Sequence, residues 1–429
     1  MDPAIPNPVI VVPGITATCL RDEYPLPPEI VWSVLTKDYE RVSLHPDNIR
    51  YEAREPARLQ PDQVYEIAYK ELVQELRYNL SPAADQPVPV FPFGYDWRQP
   101  LHLLEEQLAA FIEEVIERTK LMKHYYDSGY GNAPKVNLVG HSMGGLIVTG
   151  YLDKYGGKAR VGKVATLATP FRGSFEAVIK VTTGTANLGT SAPSSRERES
   201  ARVTPALYHL LPSFPGVGVD FFNPEKWQPS IFGTLREYVR LYAVTKKDPE
   251  AQARDLFQEM LATAQIHRQR VEGFGLEKAG LTAPDWLCVV GVDSTTRVRL
   301  EVIDTPQGPY FNFKSDDRDN TWDDGKDPVK SRVTGDGTVP FEGALPYFLQ
   351  LKNVVCITPD DFGYWEIQDR LVTKVAGFHG ILPNMNMLHR LIVRHFTGAP
   401  DNYGNTWGRP APGVTATDWQ PPLKLQQKD

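Results

Sequence analysis

The strongest constraint on this fold lies between residues 135 and 167. Lys135-Val136-Asn137-Leu138-Val139 reads as a strand, residues 140–145 as a tight glycine-rich turn, residues 146–155 as a helix and residues 161–167 as the next strand. A strand, a turn, a helix and a strand in that order predict a parallel sheet covered by helices on both faces. The turn itself, Gly140-His141-Ser142-Met143-Gly144, fits the pattern G-x-S-x-G. In that pattern a serine sits in a strained conformation where strand passes into helix, and small residues two before and two after it let the two elements approach. The helix N-terminus beneath the serine favours developing negative charge. The bare pattern is short enough to arise by chance. The strand before it and the helix after it make Ser142 a candidate nucleophile rather than a structural turn residue.

The rest of the chain extends this rhythm. Val9-Ile10-Val11-Val12 is a continuous apolar, β-branched run stopped by Pro13-Gly14, as expected of a strand buried on both faces. Residues 20–62 hold several prolines and read as an irregular excursion. A helix is expected near 65–78, a short strand at 88–91, and an amphipathic helix over 101–122, where apolar residues recur in steps of three and four. Residues 181–283 break the pattern, with a Gly/Ser/Thr-rich start, a Pro/Gly/Phe-rich stretch at 212–224 and a helix near 248–271. Strands are expected again at 286–290, 297–303 and 353–357, and a last helix at 385–396. The reading is therefore a core in two parts, residues 1–180 and 284–397, an inserted cap or lid at 181–283, and a Pro/Gly-rich, poorly ordered tail at 398–429.

Composition sets the outer bounds. A chain of 429 residues suits one large α/β domain with an insertion as well as two domains. The 37 prolines, about 9% where ~5% is usual, predict long stiffened connections. A net charge of −7 argues against a nucleic-acid partner, which needs a basic patch, but not against a lipid surface met through a local apolar lip. Cys19, Cys288 and Cys356 are widely spaced and odd in number, so buried thiols are expected rather than disulfides or a zinc site. No apolar run is long enough to span a bilayer. Residues 1–8 lack the pattern of a signal peptide, which points to the cytoplasm, or to secretion if the natural chain starts further upstream.

A serine at such a turn needs a base and an acid. In the α/β-hydrolase fold the three follow in chain order Ser, Asp or Glu, His, the last two on loops after later strands. Of nine histidines, His379, His389 and His395 lie near the C-terminal end. The latter two fall on the last helix and read as structural or solvent-facing. His379, in Gly377-Phe378-His379-Gly380, is the expected general base. The acid is expected at Asp336, exposed between glycines in Thr334-Gly335-Asp336-Gly337-Thr338-Val339-Pro340. Asp293, after the strand ending at Val292, is its rival, and Asp336 could instead be a turn aspartate capping its own backbone. In the expected chemistry His379 takes the Ser142 proton, Asp336 holds the imidazole, and an acyl-enzyme is released by water or an alcohol. The oxyanion needs two backbone N–H donors: that of Met143, and one from the Gly14-Ile15 loop. No metal or organic cofactor is called for.

Weaker signals remain. Asp316, Asp317, Asp319, Asp323, Asp324 and Asp327 surround Trp322, but without EF-hand spacing they read as a solvated loop rather than a calcium site. Phe214, Val217, Val219, Phe221 and Phe222 form an apolar patch. It reads equally as a substrate-binding wall, with Phe214, Phe221 and Phe222 as its members, or as packing of the cap. Asp96 and Arg98 read as a structural pair near the site.

In chain order, Val11-Val12-Pro13-Gly14, Tyr95-Asp96-Trp97-Arg98, the turn at Ser142, Leu167-Ala168-Thr169-Pro170-Phe171-Arg172-Gly173-Ser174, Gly335-Asp336-Gly337-Thr338-Val339 and His379-Gly380 together resemble the lecithin:cholesterol acyltransferase and lysosomal phospholipase A2 family. The resemblance implies acyl transfer from phospholipids and related esters to water, a sterol or another alcohol, without metal or organic cofactor. It favours Asp336 over Asp293 and implies Ile15 as the second oxyanion donor. The family's secreted members carry lid disulfides, but this chain has no cysteine between Cys19 and Cys288, and its 20–62 stretch is compact for a membrane-binding insertion. The expected partner is an ester or lipid substrate, met at a membrane or micelle surface. A carboxylesterase for small or polymeric esters and a catalytically inactive binding protein are the alternatives. A narrow polar pocket would favour the first of these, and a broken triad the second.

Overall fold

The computed structural model describes residues 5–184, 195–245, 247–321, 332–363, 366 and 377–428. Its centre is a sheet of six strands: β1 (Val9–Val12), β2 (Val90–Pro92), β3 (Val136–His141), β4 (Val161–Leu167), β5 (Trp286–Gly291) and β6 (Val354–Ile357). Their spatial order is β6-β5-β4-β3-β1-β2, and every neighbouring pair is parallel. A parallel sheet needs crossovers that return over its faces, and both faces are accordingly covered. Alternate residues of each strand serve opposite sides. Ile10, Val12 and Leu138 join one apolar cluster with helices α2 (Leu101–Lys120) and α3 (Met143–Tyr155). Val9, Val11 and Val139 join the other, with α1 (Glu66–Leu80) and the last helix (Asn386–Thr397). Burial on both faces is why β1 reads as an unbroken apolar run.

The amphipathic stripe predicted for residues 101–122 is the buried face of α2, with Leu101, Leu104, Leu108, Ile112, Val115 and Ile116 fully buried. Each such side chain contributes about 1.5–3 kcal/mol relative to exposure. Between β4 and β5 the chain forms α4 (Phe175–Thr183), α5 (Ser195–Arg202), α6 (Pro229–Tyr242) and α7 (Pro249–Glu272). Asp248 caps α7, accepting the N–H of Ala251 at 3.1 Å, and Pro249 occupies the first helical position. Ile231, Leu235, Phe257 and Leu261 of α6 and α7 belong to the same apolar cluster as α2 and α3.

Three expectations are corrected. Residues 20–62 are not irregular. Thr18–Asp22 pairs antiparallel with Glu29–Trp32 and Leu59–Val64, and Leu44–His45 pairs with Asn48–Glu52. These strands are short, interrupted by proline and half exposed, so no alternation could mark them. The segment is also tied from outside: Arg98, fully buried, reaches Asp96 at 2.7 Å, Glu52 at 2.9 Å and the Val42 carbonyl at 3.3 Å. The Asp96–Arg98 pair is thus a structural tie, as expected. Next, the strand expected at 297–303 is divided between Thr296–Arg297, paired with Arg318–Asp319, and Glu301–Thr305, paired with Gly308–Asn312, all outside the central sheet. Finally, the tail is ordered. Cys356 and Arg409 exchange backbone hydrogen bonds at 2.9 and 3.0 Å, the Trp419 indole donates to Val354 O at 2.9 Å, and Arg409 pairs with buried Asp361 at 2.6 Å. The segment is tied to the edge of β6 by contacts distant in sequence, which its local composition does not announce.

The three cysteines are free and buried. His389 and His395 are structural: burial holds both imidazoles down to about 4, and their Nε2 atoms bond the carbonyls of Pro383 and Val164.

Candidate active site

Ser142 follows β3 directly and stands at φ 52°, ψ −128°, a region that side-chain-bearing residues avoid. Its N–H donates to Leu167 O at 2.9 Å and its carbonyl accepts from Gly145 at 3.0 Å, so both sides of the turn are tied. The flanking glycines are steric necessities. A Cβ on Gly144 would lie 2.1 Å from Val12 O of the neighbouring strand, and one on Gly140 would lie 2.7 Å from the Gly145 Cα. Neither obstacle is a flexible side chain. Gly144→Ala is therefore expected to lower unfolding stability by about 3 kcal/mol, read as a shift of the urea midpoint at unchanged slope.

The structure brings the other two predicted groups to this serine. His379 Nε2 is 2.9 Å from Ser142 Oγ, and His379 Nδ1 is 2.7 Å from Asp336 Oδ2. All three side chains are buried. Asp336 Oδ1 accepts the N–H groups of Thr338 (2.9 Å) and Val339 (2.7 Å), and its carbonyl accepts the His379 N–H at 3.0 Å. The carboxylate is thus fully engaged as an acceptor, so Nδ1 must carry a proton and Nε2 is left to accept one from Ser142. Gly291, at the end of β5, makes room: a Cβ there would lie 2.6 Å from that of Asp336. Ser174 ties the loop to the helix side. Its hydroxyl donates to Thr338 O while capping α4 through Glu176 N.

Asp293 is placed elsewhere. Its Oδ1 accepts from Asn320 Nδ2 at 3.2 Å, burial raises its pKa, and among the described residues it makes no hydrogen bond to His379.

On the opposite side of the serine, Gly14 and Ile15 line the cavity that also reaches Ser142 and His379. Thr16 stands at φ 62° and its carbonyl accepts the Trp32 indole N–H at 3.2 Å. Met143 is the first residue of α3, where the backbone N–H has no partner within the helix.

The cavity has a volume of about 340 Å³. Ile15, Trp32, Val34, Tyr39, Trp97, Ala177, Leu207, Leu210 and Val339 give it a largely apolar wall. Lys37, Glu176, Lys180 and Glu197 add a polar stretch. Lys180 pairs with Glu197, and burial brings its pKa down to about 8. Phe214, Phe221 and Phe222, expected as substrate-binding, do not line this cavity. Phe214 packs edge-on against Phe175 at 5.5 Å, Phe221 against Trp227 and Phe311 at 5.8 and 6.0 Å, and Phe222 lies against the same cluster. The wall comes instead from Trp32, Val34 and Tyr39, in the stretch expected to be irregular, and from Trp97 of the Y-D-W-R run. That run was the available signal, since an aromatic beside a buried ion pair marks a place where distant segments meet.

In the acidic run, Asp317 is committed to Arg297 at 3.3 Å and accepts the Lys314 N–H. Trp322, Asp323, Asp324 and Asp327 lie outside the described residues. Among the described residues, no three His, Cys, Asp or Glu side chains come together to hold a metal ion.

A parallel α/β sheet carrying its serine at the end of β3, with aspartate on a loop and histidine in the short helix Phe378–Ile381 rather than the expected loop, is an α/β-hydrolase fold. Residues 59–248 match the family model described as lecithin:cholesterol acyltransferase, a stretch that holds Tyr95–Arg98, the turn at Ser142 and residues 167–174. A search of the curated proteins finds no match. Among solved structures, one chain from the crystal structure of the Tle4-Tli4 complex is similar at a TM-score of 0.56 and 14% identity, over 92% of this chain and 98% of that one. At that identity the likeness concerns the fold. The family match supports lipid-ester hydrolysis or acyl transfer as the general class of chemistry.

Proposed function

We propose that the protein transfers acyl groups from ester-linked lipids through an acyl-enzyme on Ser142. The observation that carries this reading is the Ser142–His379–Asp336 arrangement, at 2.9 and 2.7 Å, opening on a largely apolar cavity. His379 takes the Ser142 proton as Oγ attacks the ester carbonyl, and returns it to the leaving alcohol as the C–O bond breaks. The backbone N–H groups of Ile15 and Met143 receive the oxyanion. Water or an alcohol, deprotonated by the same histidine, then releases the acyl group. The segment 181–283 acts as a cap in this reading, since Glu197, Ala201, Leu207 and Leu210 supply one side of the cavity. The apolar wall favours a long acyl chain over a small polar ester, and the intact arrangement of all three groups argues against an inactive binding protein.

The test is incubation with phospholipid vesicles, with and without a sterol or long-chain alcohol, and product detection by mass spectrometry. Ser142-dependent fatty acid supports a hydrolase, and acylated alcohol a transferase. Cleavage of a short aryl ester alone would move the substrate to small esters.

A lipid surface would meet exposed apolar side chains in the part of the chain around Val34. Val34 lines the cavity, and close to it in sequence Leu26 and Leu35 are 91% and 95% exposed. Replacing Leu26 and Leu35 together by aspartate is expected to lower turnover on vesicles by about tenfold or more. Turnover of a dissolved short-chain ester should be unchanged. Equal losses on both substrates would count against the surface.

A further inference from the structure

The Pro13–Gly14 peptide is held at both of its polar atoms by tyrosine hydroxyls. Tyr95 Oη donates to Pro13 O at 2.7 Å, and Gly14 N–H donates to Tyr69 Oη at 2.9 Å. Tyr69 is itself oriented. Its Oη lies 2.6 Å from His141 Nδ1, and His141 Nε2 lies 3.0 Å from the backbone carbonyl of His379. A carbonyl can only accept, so His141 Nε2 bears the proton and Nδ1 accepts. The Tyr69 hydroxyl must then donate to His141, which leaves its lone pairs for Gly14 N–H. One proton arrangement satisfies every member, from Gly14 through Tyr69 and His141 to His379. All the side chains are buried.

We propose that Tyr69 and Tyr95 are positioning residues that clamp the Pro13–Gly14 peptide, so that the next peptide in the chain aims the Ile15 N–H at the oxyanion. The inference rests on the acyl-transfer reading above and assigns a task to two residues it leaves unused. Because Gly14 N–H is spent on Tyr69, the first N–H of this loop free to meet substrate is that of Ile15. The clamp is built for permanence. Burial raises both phenols well above their usual range, so their protons stay on, and it pushes the His141 imidazole far down, with His379 opposing a second charge nearby. Since His141 bonds the backbone of His379 while Tyr69 bonds Gly14, the segments that carry Gly14 and His379 beside Ser142 are tied to one another rather than placed independently.

Tyr69→Phe and Tyr95→Phe remove a hydroxyl and keep the ring. With a dissolved aryl ester, each is expected to lower kcat by about 10–10²-fold, short of the ~10²–10³ for losing an oxyanion donor outright, with KM little changed. Affinity for a boronic acid that forms a tetrahedral adduct on Ser142 should fall by the same factor. Unchanged kcat, or a loss expressed in KM with boronate affinity intact, overturns the clamp. Ser142→Ala in parallel separates the two readings. If it retains turnover, the acyl-enzyme reading fails; if it is dead while Tyr69→Phe is unimpaired, only the clamp fails. Should the phenylalanine variants not fold, nitrogen-15 NMR of the parent protein decides. His141 is expected as the neutral Nε2–H form throughout the stable pH range, and an Nδ1–H form or a titrating ring overturns the proposal.

Discussion

Ser142→Ala is expected to lower kcat on any ester by about 10⁴-fold or more while the protein folds as before. The change removes one oxygen. In the proposed mechanism that oxygen is the attacking atom, and His379 Nε2, 2.9 Å away, loses the group whose proton it would take. Neighbouring contacts are spared, because the bonds that hold the turn are made by the Ser142 backbone, to Leu167 and Gly145. Alanine is tolerated sterically wherever serine is, since both carry a Cβ in the same strained conformation. Initial rates with an aryl ester, together with a circular-dichroism melt, check both halves of the expectation. Turnover equal to the parent's would remove Ser142 from the mechanism.

Asp336→Asn is expected to cost about 10⁴-fold in kcat, and Asp293→Asn less than a few-fold. The geometry explains the size of the first effect. One side of the Asp336 carboxylate accepts two backbone N–H groups, those of Thr338 and Val339. In an asparagine the oxygen must take that side, because the amide NH₂ cannot accept. The NH₂ then faces His379 Nδ1, which must become the acceptor, so the ring proton moves to Nε2 and points at Ser142. A base that already holds its proton cannot take another from the serine. The shape is preserved and the tautomer is wrong. Asp293 has no such hold on the ring, being hydrogen-bonded to Asn320 instead. The two variants are compared by kcat at neutral and raised pH, and the reverse ranking would reassign the acid.

The parts of the site carried by local sequence were legible: Ser142 between glycines that sterics demand, His379 and Asp336 between glycines, β1 as an apolar run, and β3 and β4 as the strands on either side of the Ser142 helix. Each is a short-range pattern whose physical cause lies within a few residues. What was not legible depends on contacts across the chain. Trp32 and Tyr39 line the cavity in a segment tied to Arg98, distant in sequence, through Glu52 and the Val42 backbone. Phe221 has the composition of a pocket wall, yet it turns inward to Trp227 and Phe311. An apolar patch reports that a segment will be buried and not what it will be buried against. The tail looked disordered because prolines and glycines weaken local structure, while its anchors, Arg409 and Trp419, act on β6.

The tail has a consequence for association. A sheet that ends in a strand with unpaired backbone groups is a template for another chain's strand. On β6, Cys356 is engaged by Arg409 in both directions and Val354 O is taken by Trp419. At the other margin, β2 is three residues long, Pro89 precedes it closely and Pro92 closes it, and Arg77 occupies the Val90 carbonyl. Proline offers no N–H to a newcomer. Among the described residues, both margins of the central sheet are thus closed to strand addition, so a second copy of the chain finds no edge of that sheet to pair with.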